Sequence, residues 1–330
     1  MKERNKEAKL SPLLFKPILK QKVWGGTRLV KEFNKPSNFD KIGESWEISD
    51  VKNNSSVVVQ GPFKDQTLSA LLQKFKGELV GPKVYKKFGD TFPLLIKFID
   101  ASENLSVQLH PDDNLAQKRH NSFGKTEMWY VVKADEDAHL ITGFKEPCTK
   151  ENYLQALNQG DIASILKKEF VEAGDVFFIS PGLIHAIGKG TLLAEIQQTS
   201  DVTYRVYDWD RVDIDGNKRE LHTDLAIDAI DFSFPIHYKI SYEEKVNQPV
   251  SLVENIFFTT QKLNLVDVTN FSIEIIDSFV ILIVIEGKII IKDKHNTMSV
   301  EAGQSVLIPY QLKQAVNISA KQATVLHVSI

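Results

Sequence analysis

The sequence predicts a mainly β fold of two antiparallel jelly-roll barrels with a small inserted α-helical region. Short apolar runs rich in β-branched residues recur along the 330 residues, and the longest of them, Phe279–Ile285, has the composition of a buried strand. One stretch also occurs twice, since Glu172–Ala186 aligns without gaps with Glu301–Ala315. Each copy has a Glu-Ala-Gly turn, an apolar strand and a proline-containing turn. This pattern is typical of barrels whose side chains alternate into a ligand-sized interior.

The strands of the first barrel are predicted in chain order. Glu44–Ser49 and Ser56–Gln60 are short candidates, and Phe92–Asp100 is a longer apolar strand that Lys97 interrupts. A lysine in such a place is either a snorkelling cation or a charge that meets an anion. The sequence leaves both alternatives open.

Helical patterns interrupt the strands at two inserts, about 67–90 and 150–170. Thr67 is a suitable N-cap for the first insert, where apolar residues follow at helical spacing. In the second insert, the same spacing predicts two short helices broken at Gly160. A further helix is expected from about Thr223 to Ile230.

These patterns predict two domains. Residues 1–235 are expected to form an N-terminal barrel domain that carries the helical inserts. Residues 236–330 are expected to form a degenerate C-terminal barrel that lacks metal ligands. The segment Ile236–Val250 is the predicted linker.

Composition excludes several classes of partner and compartment. The net charge of −3 and the 25% of charged residues, without a basic stripe, predict no nucleic-acid or membrane partner and favour a small molecule. The single cysteine, Cys148, excludes an intramolecular disulfide and fits a reducing compartment. The charged start Met1–Leu10 lacks the apolar core of a signal peptide, and Phe279–Ile285 is too short to span a bilayer as a helix. A cytoplasmic protein is therefore expected.

Four residues with metal-ligand chemistry stand in strand-like surroundings. Gln108 and His110 lie two residues apart, so their side chains point to one face of a strand. Glu127 directly precedes the apolar run Met128–Val132, where a carboxylate is rarely buried without a partner, and His185 follows a Pro-Gly turn. Taken singly, each histidine has an alternative role as a hydrogen-bonded core residue. Together the amide, the two imidazoles and the carboxylate suit zinc or another divalent metal, with one position open for substrate.

The internal repeat indicates that the fold does not depend on these polar residues. At matching positions of the second copy, Gln314 stands in place of His185, and a weaker upstream match places Val280 opposite Glu127. Because both copies have the fold pattern and only the first has the polar set, folding does not require that set. The asymmetry favours a metal site in the first barrel.

Seven motifs follow one another in order over nearly the whole chain: Lys22–Gly26, Gly43–Ser49, Pro93–Lys97, Ser106–Asp112, Gly124–Trp129, Pro181–His185 and Glu195–Arg211. This series resembles the class I mannose-6-phosphate isomerases of the cupin superfamily, in particular the short bacterial form. The resemblance implies two cupin barrels and a zinc enzyme that interconverts mannose 6-phosphate and fructose 6-phosphate.

The resemblance also implies roles for individual residues. In the family, a Gln-x-His pair, a glutamate and a later histidine hold one zinc ion per chain, and they fall on Gln108, His110, Glu127 and His185. The active-site arginine of the family falls on Arg205, and the lysine before the ligand glutamate falls on Lys125.

The implied reaction opens a sugar ring and moves a proton between C2 and C1 through a cis-enediolate. It needs a base, a group that stabilises oxyanion charge and a clamp for the phosphate. Arg205 suits the second or the third role, and its place beside the ligand strands favours catalysis. Lys97 and Lys125 are candidates for contacts with phosphate or substrate hydroxyls. Glu195, whose pKa burial is expected to raise, is a candidate base, and a metal-bound water is the alternative.

Two other functions remain open on the sequence. One is a non-catalytic cupin that binds a sugar phosphate, and the other is a metal-dependent isomerase that acts on another sugar. Barrel folds host unrelated functions, so the fold alone does not separate these alternatives. The sequence does not indicate an oligomeric state.

Overall fold

The computed structural model describes residues 9–39, 41–234, 238–294, 296–312 and 316–330. It is mainly β with antiparallel sheets, as the sequence predicted. The strands in chain order are β1 (Leu13–Lys16), β2 (Ile18–Lys20), β3 (Glu44–Ile48), β4 (Asp50–Val51), β5 (Asn54–Ser55), β6 (Val57–Val58), β7 (Leu94–Ala101), β8 (Val107–Leu109), β9 (Glu127–Ala134), β10 (His139–Phe144), β11 (Leu166–Phe170), β12 (Val176–Ile179), β13 (His185–Ile187), β14 (Thr191–Gln198), β15 (Tyr204–Tyr207), β16 (Lys239–Ile240), β17 (Pro249–Glu254), β18 (Thr259–Ser272), β19 (Val280–Lys292), β20 (Thr297–Glu301), β21 (Ser305–Ile308) and β22 (Asn317–Ser329).

Short helices lie between these strands. They are α1 (Arg28–Lys31), α2 (Leu68–Phe75), α3 (Gly77–Val80), α4 (Pro82–Phe88), α5 (Asp113–His120), α6 (Lys150–Asn158) and α7 (Thr223–Ile227), with single 3-10 turns at Ile162–Ile165 and Tyr310–Leu312. None of the helices within the described ranges is long and apolar enough to cross a bilayer.

The first helical insert is confirmed. It contains α2, α3 and α4, and the Thr67 hydroxyl caps α2 by accepting a hydrogen bond from the backbone N–H of Ala70. The helix predicted near Thr223 is confirmed as α7.

The second insert is helical only in its first part. After α6 and a 3-10 turn, Leu166–Phe170 forms strand β11, which pairs antiparallel with β10, so the helix predicted up to residue 170 is wrong there. The reason is non-local, because the backbone of this segment finds its hydrogen bonds on β10. As the last strand of its sheet, β11 carries Lys167, Lys168 and Glu169, charges that discourage further strand pairing.

One compact unit consists of Leu19–Trp46 and Leu94–Ser241. This unit contains two sheets. The seven-stranded sheet has the order β16-β12-β9-β14-β7-β3-β2, and the five-stranded sheet has the order β11-β10-β13-β8-β15. Apolar side chains of both sheets pack into one cluster that includes Ile99, Trp129 and Ile187. A second cluster, with Val107 and Ile141 among the sheet residues and Tyr153 of α6, covers the other face of the five-stranded sheet.

The other compact unit consists of Glu47–Pro93, Tyr242–Ile330 and, from the start of the described chain, residues 9–18. Its eight-stranded sheet has the order β17-β18-β22-β19-β21-β1-β6, with β20 paired to β19. The predicted division into 1–235 and 236–330 treated each domain as one continuous segment. The units are discontinuous instead, because β1 pairs with β21 through Leu13 and Leu307 and with β6 through Phe15 and Val58.

The internal repeat corresponds to matching structure in the two units. Strands β12 (Val176–Ile179) and β21 (Ser305–Ile308) fall on aligned positions. The glycines of the two Glu-Ala-Gly turns, Gly174 and Gly303, have φ values of +96° and +83°. That left-handed conformation favours glycine, which explains why both copies have it. Gln314, the counterpart of His185, lies outside the described residues.

Candidate active site

A row of polar side chains crosses the five-stranded sheet. In cross-strand register, Thr142 of β10 faces His185 of β13, His185 faces Gln108 of β8, and Gln108 faces Arg205 of β15. Residues directly opposite each other on neighbouring strands share one face of a sheet. The register therefore brings three of the predicted site residues, His185, Gln108 and Arg205, to the same face.

Three of the four predicted metal ligands form a buried cluster. One possible ligand atom from each of His110, Glu127 and His185 lies within 4.8 Å of the others, and all three residues are buried. His110 Nε2 is 3.4 Å from Glu127 Oε1, and His185 Nε2 is 4.0 Å from Glu127 Oε2. No second group of this kind occurs in the parts of the chain that the structure describes. Gln108 faces His185 across the strand pair.

Backbone carbonyls set the tautomer of both histidines. His110 Nδ1 is 2.9 Å from the carbonyl of Val202, and His185 Nδ1 is 2.9 Å from the carbonyl of Leu183. A carbonyl only accepts, so each Nδ1 carries the hydrogen and each Nε2 presents a lone pair to Glu127. Histidines that bind metals are oriented in the same way, by a hydrogen bond from the ring nitrogen that does not bind the metal.

Electrostatics keep both imidazoles neutral. Burial lowers the pKa of His185 to about 4 and lowers the pKa of His110 well below its usual range, with further lowering by Lys125. Burial and the nearby Glu195 raise the pKa of the Glu127 carboxyl, which reflects the cost of an anion in this place. Neutral imidazole is the form that binds metals.

The cluster fits a divalent cation. Within the described chain, His185 Nε2 and Glu127 Oε2 have no hydrogen-bond partner, although both are buried acceptors. On the other side of Glu127, the Lys125 ammonium lies 2.6 Å from Oε1 and 3.2 Å from His110 Nε2. Buried acceptors packed this closely favour a bound cation, and two imidazoles with a carboxylate are a donor set that zinc binds.

Lys97 meets an anion, which decides between the two alternatives left by the sequence. Its Nζ donates a 2.9 Å hydrogen bond to Glu195 Oε1, and the indole N–H of Trp129 donates a 2.9 Å hydrogen bond to Glu195 Oε2. Burial alone would lower the pKa of Lys97, but Glu195 and Glu44 outweigh it and raise that pKa to about 12. Lys97 is therefore a buried, permanent cation.

The expectation for the Glu195 pKa was wrong in direction. Burial does disfavour the charged form, but the positive charges of Lys97 and Lys125 outweigh burial and lower the pKa of this carboxyl. Both of its oxygens also accept hydrogen bonds, from Lys97 and from Trp129. Glu195 is thus an ionised, fully engaged carboxylate.

Glu44 and Trp46 on β3 also belong to this site, although the sequence alone favoured a solvated Glu44. Trp46 is buried, and its indole N–H donates a 2.7 Å hydrogen bond to Glu44 Oε2. Glu44 also lies 3.3 Å from Lys22 Nζ and 4.0 Å from Lys97 Nζ. The available signal was the alternation of Glu44 and Trp46 on one strand face beside the lysine-bearing strand.

The Glu44 carboxyl makes acid stability a testable property. Burial alone would raise its pKa, but Lys22 and Lys97 outweigh burial and lower it from 4.5 to about 2. A lowered folded-state pKa adds stability above the unfolded value, and this stability is lost as the pH falls from about 5 toward 2. We expect this contribution to be on the order of 3 kcal/mol. In urea unfolding, the stability difference between wild type and Glu44→Gln should be large at pH 7 and should shrink by more than half at pH 3. An equal difference at both pH values would contradict the assignment, and the exposed Glu146→Gln serves as control.

Arg205 lies on the same sheet face as His185, but its hydrogen-bond partners are not members of the metal cluster. Its Nη1 donates a 2.8 Å hydrogen bond to the carbonyl of Glu220, and its backbone N–H donates to His222 Nδ1 at 3.1 Å. Its Nε is buried without a hydrogen-bond partner among the described residues. Burial and the nearby Arg219 lower the pKa of this guanidinium.

Comparison with known proteins identifies the family that shares this architecture. The family model for the catalytic domain of type I phosphomannose isomerase matches residues 13–150, and the model for the cupin domain of mannose-6-phosphate isomerase matches residues 248–326. The chain is 37% identical over 304 residues to the mannose-6-phosphate isomerase ManA of Bacillus subtilis (strain 168), which covers 91% of this chain and 94% of the relative.

Solved structures agree with the sequence match. The crystal structure of the mannose 6-phosphate isomerase from Bacillus subtilis superimposes with a TM-score of 0.88 at 32% identity, over 97% of this chain and 100% of that one. A mannose 6-phosphate isomerase crystallised with zinc and yttrium gives a TM-score of 0.77 at 16% identity, over 97% of this chain and 99% of that one, and this likeness shows the cupin fold alone. The identity to the Bacillus relative extends over nearly the full length of both chains, so the chain belongs to the type I phosphomannose isomerase family.

Proposed function

We propose that this protein is a zinc-dependent aldose–ketose isomerase that interconverts mannose 6-phosphate and fructose 6-phosphate in the cytoplasm. The observation that carries the proposal is the buried cluster of His110, Glu127 and His185, whose acceptor atoms converge beside the cations Lys97 and Lys125. A cation-binding centre next to fixed ammonium groups suits an anionic sugar. Relatives that bear the name of this enzyme support the choice of substrate.

We assign zinc, one ion per chain, to Gln108, His110, Glu127 and His185. The mixed nitrogen and oxygen donors support this choice, and the unpartnered His185 Nε2 and Glu127 Oε2 are its strongest sign. When bound, zinc would act as a Lewis acid that polarises the oxygens of the open-chain sugar.

The remaining residues would bind and orient the substrate. Lys125 and Lys97 supply positive charge for the phosphate or for hydroxyl oxygens. Arg205, on the face that carries Gln108 and His185, would stabilise the negative charge of the enediolate through its planar guanidinium. Glu195 was considered as the base, but its two engaged oxygens and lowered pKa instead support a role in holding Lys97.

The proposed activity is tested by turnover of mannose 6-phosphate in a coupled assay, before chelation, after chelation and after zinc is restored. We expect activity to be lost with the metal and recovered with it. Free mannose should be turned over at least about 100-fold less efficiently, because charge-assisted hydrogen bonds to the phosphate contribute roughly 1.5–3 kcal/mol each.

The same assay separates the other functions. Zinc-loaded protein that neither turns over mannose 6-phosphate nor exchanges its C2 proton with solvent would be a binding module. Equal efficiency with the phosphorylated and the free sugar would point to a different substrate. Either result would overturn the proposal.

A further inference from the structure

Lys97 stands at the centre of a chain of five side chains, four of them buried and the fifth, Glu44, partly buried. On one side, Trp129 donates to Glu195 and Glu195 accepts from Lys97, both at 2.9 Å. On the other side, Trp46 donates to Glu44 at 2.7 Å, and Glu44 lies 4.0 Å from the Lys97 ammonium. The same ammonium lies 5.4 Å from the centre of the Trp46 ring. We call these five residues the Lys97 frame.

The β-sheet register produces this alignment. Glu195 of β14 lies directly opposite Lys97 of β7 and directly opposite Trp129 of β9. The three side chains therefore follow one line across the sheet on one face. Strand β3, which carries Glu44 and Trp46, is the next strand beyond β7 and extends the line.

Each tryptophan removes a rotational freedom that an ion pair alone would leave. Lysine has a flexible four-carbon stem, and a lone carboxylate can turn about its last bond while keeping one contact. In the frame, the second oxygen of Glu195 is fixed by the Trp129 indole, and Oε2 of Glu44 is fixed by the Trp46 indole. The cation–π contact with Trp46 adds a further constraint on the ammonium.

Trp129 also contacts the metal cluster. Its ring packs edge-on against the imidazole of His185, with the centroids 5.3 Å apart at an interplanar angle of 79°. A single side chain that is only 1% exposed thus touches both the carboxylate that holds Lys97 and one of the candidate zinc ligands. Displacing it would disturb the spacing between the ammonium and the histidine.

We propose that Trp129 and Trp46 are positioning residues, which act through Glu195 and Glu44 to hold the Lys97 ammonium at a fixed place for contact with a substrate oxygen. This inference rests on the proposed function for the identity of the substrate. The arrangement itself stands on the hydrogen bonds and the register.

The kinetic test replaces each indole by a ring that has no N–H donor. In zinc-loaded Trp129→Phe and Trp46→Phe, we expect kcat/KM for mannose 6-phosphate to fall by about 10- to 100-fold, the range for misplacement of an orienting group. Zinc content should be unchanged.

Trp209→Phe is the matched control, because its indole donates a 2.7 Å hydrogen bond to the carbonyl of Leu105, outside the frame. It should stay within about twofold of wild type, since it orients no substrate group. If Trp129→Phe does not fold, Trp46→Phe carries the test.

A spectroscopic test needs no turnover. The chain has four tryptophans, so its indole N–H signals in a nitrogen-labelled sample are few and can be assigned by the Phe variants. Lys97→Met should shift the signals of Trp129 and Trp46 and leave that of Trp209 in place. Calorimetric binding of mannose 6-phosphate should be weaker in both frame variants than in the Trp209 control.

These measurements distinguish the two ideas. Failure of wild type to isomerise, with the spectral coupling and the binding loss intact, would overturn the proposed function and leave the positioning role in place. Wild-type kcat and KM in both frame variants, or unmoved indole signals in Lys97→Met, would overturn the positioning role.

Discussion

His185→Gln is expected to lose tight zinc binding while the protein remains folded. The substitution removes the unpartnered Nε2 that lies 4.0 Å from Glu127 Oε2, and it installs the residue that the second repeat has at this position. Loss of a contact that merely orients a ligand typically costs 10–100-fold in metal affinity, so loss of the ligand itself should exceed about 100-fold. The measurement is zinc affinity by competition with a chelator, together with thermal unfolding of the metal-free protein.

His139→Gln is the matched control for this prediction. The Nδ1 of His139 also lies near the carbonyl two residues earlier, that of Asp137 at 3.2 Å, just as His185 Nδ1 lies near the carbonyl of Leu183. Both substitutions therefore remove the same local contact, but His139 is not part of the buried cluster. Equal zinc affinity of wild type and His185→Gln would refute the ligand assignment. Equal losses in both variants would mean that the effect is structural.

The fold was predictable where the information is local or repeated. Thr67 predicted the start of α2, and the repeated Glu-Ala-Gly turn predicted strands at the aligned positions of β12 and β21. Strand Leu166–Phe170 was missed because the backbone hydrogen bonds that form it run to β10, and no local pattern reveals such a partner. Helix α5 was not predicted either, although Asp112 caps it by accepting a hydrogen bond from the backbone N–H of Leu115.

The division of the chain illustrates the same limit. Nothing local in Leu13–Lys16 indicates that this strand pairs with β21, far along the chain. Strand pairing between distant segments depends on the complementarity of whole sheets and not on propensity. The sequence therefore predicted how many barrels form, while the assignment of the early segments to the second unit required the structure.

The candidate site was predictable residue by residue but not as a network. The chemistry of His110, Glu127 and His185 is specific enough to be noticed in the sequence, and the structure brings them together. The Lys97–Glu195 pair arises from cross-strand register, which the sequence does not contain. Trp129 was counted as one residue of an apolar run, because its indole N–H acquires a role only when Glu195 faces it.

Arg205→Ala is expected to lower kcat strongly while zinc stays bound. Arg205 lies opposite Gln108 on the face that carries His185, and its Nε has no hydrogen-bond partner in the described chain. A buried donor without a partner is costly in a folded protein, so its retention favours a contact with an anionic oxygen of the substrate. Removing one donor that stabilises a developing oxyanion typically costs about 100- to 1,000-fold in kcat.

The matched control for Arg205 is Arg119→Ala. Arg119 is also held by a backbone carbonyl, with Nη1 3.1 Å from the oxygen of Leu225, but it lies on α5, and its side-chain partners are Tyr204 and the exposed Asp228. Arg119→Ala should therefore keep its kcat and its zinc.

Arg205→Lys distinguishes charge from geometry, because lysine keeps the charge and loses the planar fork, so only a small recovery over Arg205→Ala is expected. Near-normal kcat in Arg205→Ala, or a loss confined to KM, would show that this guanidinium binds the phosphate or nothing at all, and the enediolate charge would then have to be stabilised by Lys97 or Lys125.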